Sequence, residues 1–209
     1  VETLRAAAPW QALRRRDGGP AVRVDPGDVR IRRRVRRART TTIFLVDASG
    51  SAAFQRLAEA KGAVELLLAE CYVRRDEVAL IAFRDRAAEL LLPPTRSLVR
   101  AKRCLAALPG GGATPLAAGL EAGRILAEAV RRKCDTAVLV LLTDGRANVA
   151  RDGRVDRPGA AQDAVAGAKL LRAAGLPALL VDTAPRPDPA ARDLADAMGA
   201  VYLPLPRAD

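Results

Sequence analysis

From Thr40 onward the chain alternates between two hydrophobic periods. Thr40–Val46 (TTTIFLV) is β-branched, apolar and uncharged, and reads as a buried strand. Residues 53–74 change to helical spacing, with Leu57, Ala60, Val64, Leu67 and Leu68 on one face. Glu77–Phe83 is a second buried strand. Ala87–Leu92 follows the short charged segment Arg84-Asp85-Arg86 as its hairpin partner, ended by Pro93-Pro94. Ser97–Leu108 reads as a helix capped by Ser97, and a Gly110-Gly111-Gly112 loop leads into a helix over about 115–132. Thr136–Thr143 (TAVLVLLT) is a third buried strand, followed by a long polar loop over 144–159. A helix over 160–174 stops at Gly175, then come a strand Leu176–Asp182, a helix over 189–198 and a strand Ala200–Leu203. Continuous apolar strands separated by helices predict an α/β fold of three layers. Its doubly wound, mostly parallel sheet has one antiparallel edge strand.

The first 39 residues follow neither period for long. Residues 1–20 read as a short helix and a loop. Val22 and Val24, then Val29, Ile31 and Val35, alternate with polar residues around Asp25-Pro26-Gly27-Asp28, which predicts a basic hairpin. The chain thus divides into an N-terminal arm, 1–39, and a body, 40–209. Charge sharpens that division. The chain has a net charge of +11, of which the arm, with 12 Arg and 4 acidic residues, holds +8. The body is close to balanced. A basic arm suits nucleic acid, an anionic membrane or an acidic protein partner, or is a solvated linker.

Composition removes several chemistries. There is no histidine, so Ser-His-Asp and Cys-His catalysis and His-ligated zinc are excluded. Aromatic residues are 3% of the chain, too few for a base-stacking surface. Cys71, Cys104 and Cys134 are isolated, as expected for thiols in a reducing compartment. No apolar run has transmembrane length and no secretory signal is legible near the start, so the expected location is the cytoplasm. Met198 is the only methionine; a chain without an initiator reads as a fragment or a processed product.

In doubly wound folds ligands bind beyond the carboxyl ends of the strands. The first strand ends in Asp47-Ala48-Ser49-Gly50-Ser51, the third long one in Thr143-Asp144-Gly145, and the glycine loop in Ala113-Thr114-Pro115. Taken singly, Ser49 or Ser51 is an ordinary helix N-cap, Thr114 is another with Pro115 behind it, and Asp144-Gly145 is a turn. Taken together they offer two carboxylates and three hydroxyls at one edge of the sheet. That all-oxygen set suits a hard dication, Mg²⁺ with Mn²⁺ as substitute.

Asp-x-Ser-x-Ser with a distant Thr and a distant Asp resembles the metal-ion-dependent adhesion site of von Willebrand factor A, or integrin I, domains. The resemblance implies that Ser49, Ser51 and Thr114 contact the metal, that Asp47 and Asp144 act directly or through water, and that a partner's carboxylate fills an open position. A narrower resemblance covers almost the whole chain. VDASGSAA (46–53), EAKGAVELLL (59–68), RRDEVALIAFR (74–84), AELLLPPTRSL (88–98), LPGGGATPLA (108–117), LLTDGRANVA (141–150) and the opening TLRAAAPWQALRRR (3–16) are similar to the C-terminal integrin-like domain of the magnesium chelatase D-subunit family. This implies a non-catalytic assembly domain in a complex that uses ATP to insert Mg²⁺ into protoporphyrin IX for bacteriochlorophyll synthesis. Its expected partners are the magnesium chelatase ATPase subunit and the large porphyrin-binding subunit. No GxxxxGK motif is present, so ATP is expected to be used by the complex and not held by this chain. Arg146, two residues after Asp144, is expected on the rim of the site, favouring an acidic partner. Arg32, Arg33, Arg34, Arg36 and Arg37 of the arm are expected to dock an acidic partner segment. The alternative is a general von Willebrand factor A-type interaction domain unrelated to chelation. The DASGS turn in place of GxGxxG argues against a nucleotide-using enzyme.

Overall fold

The computed structural model describes residues 2–14, 20, 22–30, 39–49, 66, 68–108, 110–133, 135–184 and 186–205. The chain divides into two compact units, Val1–Arg37 and Ala38–Asp209.

In the larger unit six strands form one sheet: β1 (Thr40–Asp47), β2 (Glu77–Arg84), β3 (Ala87–Thr95), β4 (Thr136–Thr143), β5 (Ala178–Asp182) and β6 (Val201–Pro204). Their order is β3-β2-β1-β4-β5-β6, and only β3 is antiparallel to its neighbour. This is the architecture that the alternating periods predict. Successive side chains of a strand point to opposite faces, so two separate cores form. On one face Ile43, Leu45, Ile81, Phe83, Leu139 and Leu141 are buried with Leu116 and Leu120 of a covering helix. On the other, Phe44, Val46, Leu80, Val140 and Leu142 meet Leu68, Ala101 and Leu105.

Four helices of this unit are described throughout their length or nearly so: Leu98–Ala106, Leu116–Arg131, Arg157–Ala173 and Pro189–Met198. They follow α1 (Glu2–Ala7) and α2 (Gln11–Arg14) of the smaller unit and are α3 to α6 in chain order. Ser97 caps α3 as expected, its Oγ accepting from Arg100 N at 3.3 Å. Most of the helix expected over 53–74 lies outside the described residues; 68–73 are helical. Cys71 is buried and its Sγ donates to Thr42 Oγ1 at 3.4 Å; Cys104 is half-buried and free, and Cys134 lies outside the described residues.

Two expectations need correcting. The first concerns Pro93-Pro94, which do not end β3: the strand continues to Thr95, pairing Leu92 with Leu80 and Thr95 with Val78 across register shifts. β3 is an edge strand with irregular pairing, where a missing N–H need not break a ladder bond. The second is the arm. Residues 22–25 form no strand, and Pro26–Asp28 is a turn of 3-10 helix. Side chains close this unit instead. The Gln11 amide donates to the carbonyls of Ala7 (2.8 Å) and Arg23 (2.7 Å) and accepts from Arg23 N (2.8 Å). Arg14 is bonded to Asp28 and lies 3.0 Å from Asp25, and it holds the Asp28 carboxyl below its usual range. Thr3 Oγ1 accepts from Arg30 N at 3.1 Å. The second half of the expected hairpin, 31–38, lies outside the described residues.

α4 lies close against the sheet because it presents glycine there. A Cβ on Gly119 would come within 2.5 Å of Phe83 Cδ1, and one on Gly123 within 2.8 Å of Leu45 Cδ1. Gly167 on α5 has more room, with Leu120 Cδ1 at 3.4 Å from the same added atom. Gly119 and Gly167 therefore respond with opposite sign. Gly119→Ala lowers stability by about 1–3 kcal/mol despite the better helix propensity of alanine. Gly167→Ala raises it by about 0.4–1 kcal/mol. Urea unfolding midpoints of the two variants measure both.

A candidate metal pocket at the carboxyl ends of β1 and β4

β1 and β4 are adjacent and parallel, so Asp47 and Thr143 emerge on the same edge of the sheet. Asp47 is nearly buried, and every described bond to it comes from the surrounding turn or from β4. Ser49 N (3.0 Å) and Ser49 Oγ (2.6 Å) donate to Oδ1, and Thr143 Oγ1 (2.9 Å) donates to Oδ2. Thr143 is itself fixed, accepting from Gly145 N at 3.2 Å. Ser49 Oγ is 2.5 Å from Thr114 Oγ1. Since the Ser49 proton goes to Asp47, Thr114 is the donor across that contact.

Thr114 is held by its backbone. Its N–H donates to Asn148 Oδ1 at 2.6 Å, and its carbonyl accepts from Asn148 N at 3.2 Å. It is not a helix cap. Pro115 occupies that position before α4, with no side-chain cap bond, so the Thr114 hydroxyl is left to face Ser49. The glycine loop is tied to β1 by Gly111 N, which donates to Ala48 O at 3.0 Å. Asp47, Ser49, Thr114 and Asp144 line one pocket of about 550 Å³, along with Arg146 and Asn148. Ser51 lies outside the described residues.

Burial pushes the Asp47 carboxyl up to about 6, with the charge of Asp144 adding to it and the bonds from Ser49 and Thr143 opposing it. A buried carboxylate beside two hydroxyl oxygens and a second carboxylate suits a small, oxygen-seeking dication. Among the described residues no three His, Cys, Asp or Glu side chains come together, so such an ion would rely on hydroxyls and water for most of its shell. The residues present fit Mg²⁺ in that sense.

Arg146 lines the pocket, but its charge is already engaged. Its Nε and Nη2 are 2.9 and 2.6 Å from Asp188 Oδ2, while its backbone N–H donates to Asp144 Oδ1 at 3.0 Å. Asp188 also caps α6 through Ala190 N. Gly145, at φ +79°, lets this loop run against α6, where a Cβ would meet Ala191 N at 2.5 Å. Arg32, Arg33, Arg34, Arg36 and Arg37 lie outside the described residues.

Sequence reasoning missed Thr143, Asn148 and Asp188 as parts of the site. Thr143 had a signal, a polar residue closing the apolar run TAVLVLLT. Asn148 had none, since nothing local says that its amide bonds to residue 114. Asp182 at the end of β5 has the same signal as Thr143, a polar residue closing an apolar run, ALLVD. It is buried, accepts from Tyr202 Oη at 2.6 Å and from Ala184 N at 2.8 Å, and lies beside Thr143 in register.

The von Willebrand factor type A domain family matches residues 42–146, half of the chain, and the AAPxQ domain family matches residues 2–36. The second match includes Gln11, Arg14 and Thr3, whose side chains close the smaller unit. The magnesium-chelatase 60 kDa subunit of Cereibacter sphaeroides is 55% identical over 100% of this chain and 38% of its own length. The corresponding subunit of Rhodobacter capsulatus is 51% identical over the same shares. The 67 kDa subunit of Heliobacterium mobile is 41% identical over 98% of this chain and 32% of its own length. The chain therefore spans about a third of the length of these relatives. Among solved structures, the SpRpn10 VWA domain has a TM-score of 0.59 at 13% identity, covering 82% of this chain and 89% of that one. A von Willebrand factor type A structure from Catenulispora acidiphila has a TM-score of 0.52 at 17% identity, covering 81% and 39%. At these identities the likeness is one of fold.

The hydrogen bond to Asp182 is the main cause that pushes the Tyr202 phenol up to about 12, with burial adding to it. A raised folded-state value means that this bond stabilises the fold fully below the ordinary phenol range near pH 10 and loses its contribution as pH rises through about 12. Absorbance titration of a Tyr72→Phe chain should therefore show Tyr202 ionising near 12. Asp182→Asn should bring that transition down toward the ordinary value.

Proposed function

Given that the chain belongs to the von Willebrand factor type A domain family, we propose that it is the non-catalytic assembly domain of a magnesium-chelatase D-type subunit. In this reading Asp47, Ser49, Ser51, Thr114 and Asp144 hold Mg²⁺, and the domain docks partner subunits for ATP-dependent insertion of Mg²⁺ into protoporphyrin IX. The observation that carries the metal reading is the 2.5 Å approach of the Ser49 and Thr114 hydroxyls in front of the buried Asp47 carboxylate. The identity to magnesium-chelatase subunits along the full chain supports the chelatase context.

The residues divide the work by position. Ser49 and Thr114 present oxygens to the pocket, and Asp144 lines it with a half-exposed carboxylate. Asp47 supplies negative charge from behind and is kept in place by Thr143. Asn148 fixes the backbone of Thr114, so its hydroxyl does not have to be ordered when an ion arrives. The bound dication would supply one coordination position for a carboxylate of the partner. Arg146 sits at the rim, where exchange of Asp188 for a partner carboxylate would favour acidic surfaces. The arginines 32, 33, 34, 36 and 37 add a second, screened attraction to an acidic segment. The proposed partners are the chelatase's ATPase subunit and its porphyrin-binding subunit. Among the described residues no helix is long and apolar enough to cross a membrane.

Pull-down of the ATPase and porphyrin-binding subunits by this chain should succeed in Mg²⁺ and fail in EDTA. Asp47→Ala should abolish the metal-dependent part. Thr143→Val, which keeps shape and removes the bond to Asp47 together with the one from Gly145 N, should weaken Mg²⁺ binding by roughly 10–100-fold in calorimetry. Association and chelatase turnover that are unchanged by Asp47→Ala would sink the proposal.

A further inference from the structure

A second cavity, of about 600 Å³, lies between the start of β3, α4 and the loop at residues 149–151, with Leu170 of α5 on its far side. Its floor is made of small side chains, among them Ala88, Ala118 and Ala122. Its walls are Ile125 and Leu170, which are 53% and 48% exposed. The groove is lined mostly by apolar side chains of β3, α4 and the 149–151 loop, and Ile125 and Leu170 stand exposed beside it.

The rim says what chemistry fits. Arg124 is neutralised within its own helix: its Nε and Nη2 lie 3.0 and 2.7 Å from the carboxylate of Glu121, and it is also bonded to Glu128. The guanidinium groups of Arg86 and Arg151, also at the groove, have no ion-pair partner among the described residues, although the Asp163 carboxylate accepts from the backbone N–H of Arg151 at 2.7 Å. Arg151 acts on Glu121 only at longer range. The groove thus combines an apolar floor with two cations that have no ion-pair partner among the described residues. The floor is also the face of a helix, since Ala118, Ala122 and Ile125 stand four and seven residues apart on α4. Alanines there let a second helix approach closely.

We propose that this groove receives an acidic amphipathic helix of a partner protein. Aliphatic side chains of that helix sit on the alanine floor between Ile125 and Leu170, and its carboxylates pair with Arg86 and Arg151. The site is separate from the metal pocket and does not depend on it. No residue lines both cavities, and two pairs of chain neighbours lie between them: Thr114 and Asn148 line the metal pocket, Pro115 and Val149 the groove.

The test uses the whole chain labelled with ¹³C at alanine methyls and a short synthetic amphipathic helix with leucines on one face and glutamates on both flanks. The control is the same peptide with lysines in place of glutamates. The acidic peptide should bind at least about tenfold more tightly than the basic one, in Mg²⁺ and in EDTA alike. It should move the methyl signals of Ala88, Ala118 and Ala122. The double variant Arg86→Glu, Arg151→Glu, whose changes are both on exposed side chains, should reverse the preference. Ile125→Asp should weaken both peptides. No binding by the acidic peptide, equal binding of the two, or shifts confined to Ala147, Ala161 and Ala190 of the metal pocket would overturn the proposal. Binding lost in EDTA would also overturn it, without touching the reading of the metal pocket. Loss of Mg²⁺-dependent assembly alone would sink that reading and leave this one standing.

Discussion

The site is organised around a carboxylate that has been buried at the end of a strand. Asp47 closes β1 at the centre of the sheet, between β2 and β4, where water cannot solvate it well. A buried carboxylate needs partners. Three of its described bonds come from Ser49 and Thr143, and each of those residues is placed by another bond in turn. The result is a chain of dependence. β1 and β4 in parallel register put Thr143 beside Asp47, Asp47 orders the turn with Ser49, and Ser49 meets the hydroxyl of Thr114. Disturb the register of β1 and β4 and the whole arrangement is lost.

The sheet order makes that possible. From β1 the chain goes to β2 on one side and later to β4 on the other, so loops from both sides converge above β1. The glycine loop is drawn in by Gly111 against Ala48, and the loop after β4 runs along α6 at Gly145. Both contacts need backbone in conformations that most residues avoid, with φ of +120° and +79°.

Much of this was legible in the chain itself. Long apolar strands such as TAVLVLLT and TTTIFLV carry their own evidence, and so do Ser97 as a cap and Gly175 as a helix stop, because each is a local effect. Asp47, Ser49, Thr114 and Asp144 could be nominated because all four sit at ends of elements, where the fold class places ligands. What local reasoning could not reach depends on distant partners. Pro93-Pro94 reads as a stop until β3 is known to be an edge. Thr114 reads as a cap until Asn148, 34 residues on, is found holding its N–H. Arg146 reads as a free charge until Asp188 is found against it. The arm reads as a hairpin because Val22 and Val24 alternate, but Gln11 and Arg14 close it from the side.

The glycines of α4 carry a further consequence. Where Gly119 lies over Phe83 and Gly123 over Leu45, the distance between helix and strand is set by backbone on one side. A layer gap fixed in this way has no slack in one direction. Neighbouring core positions can lose a methylene and be partly refilled by relaxation, but none can gain one without lifting the helix.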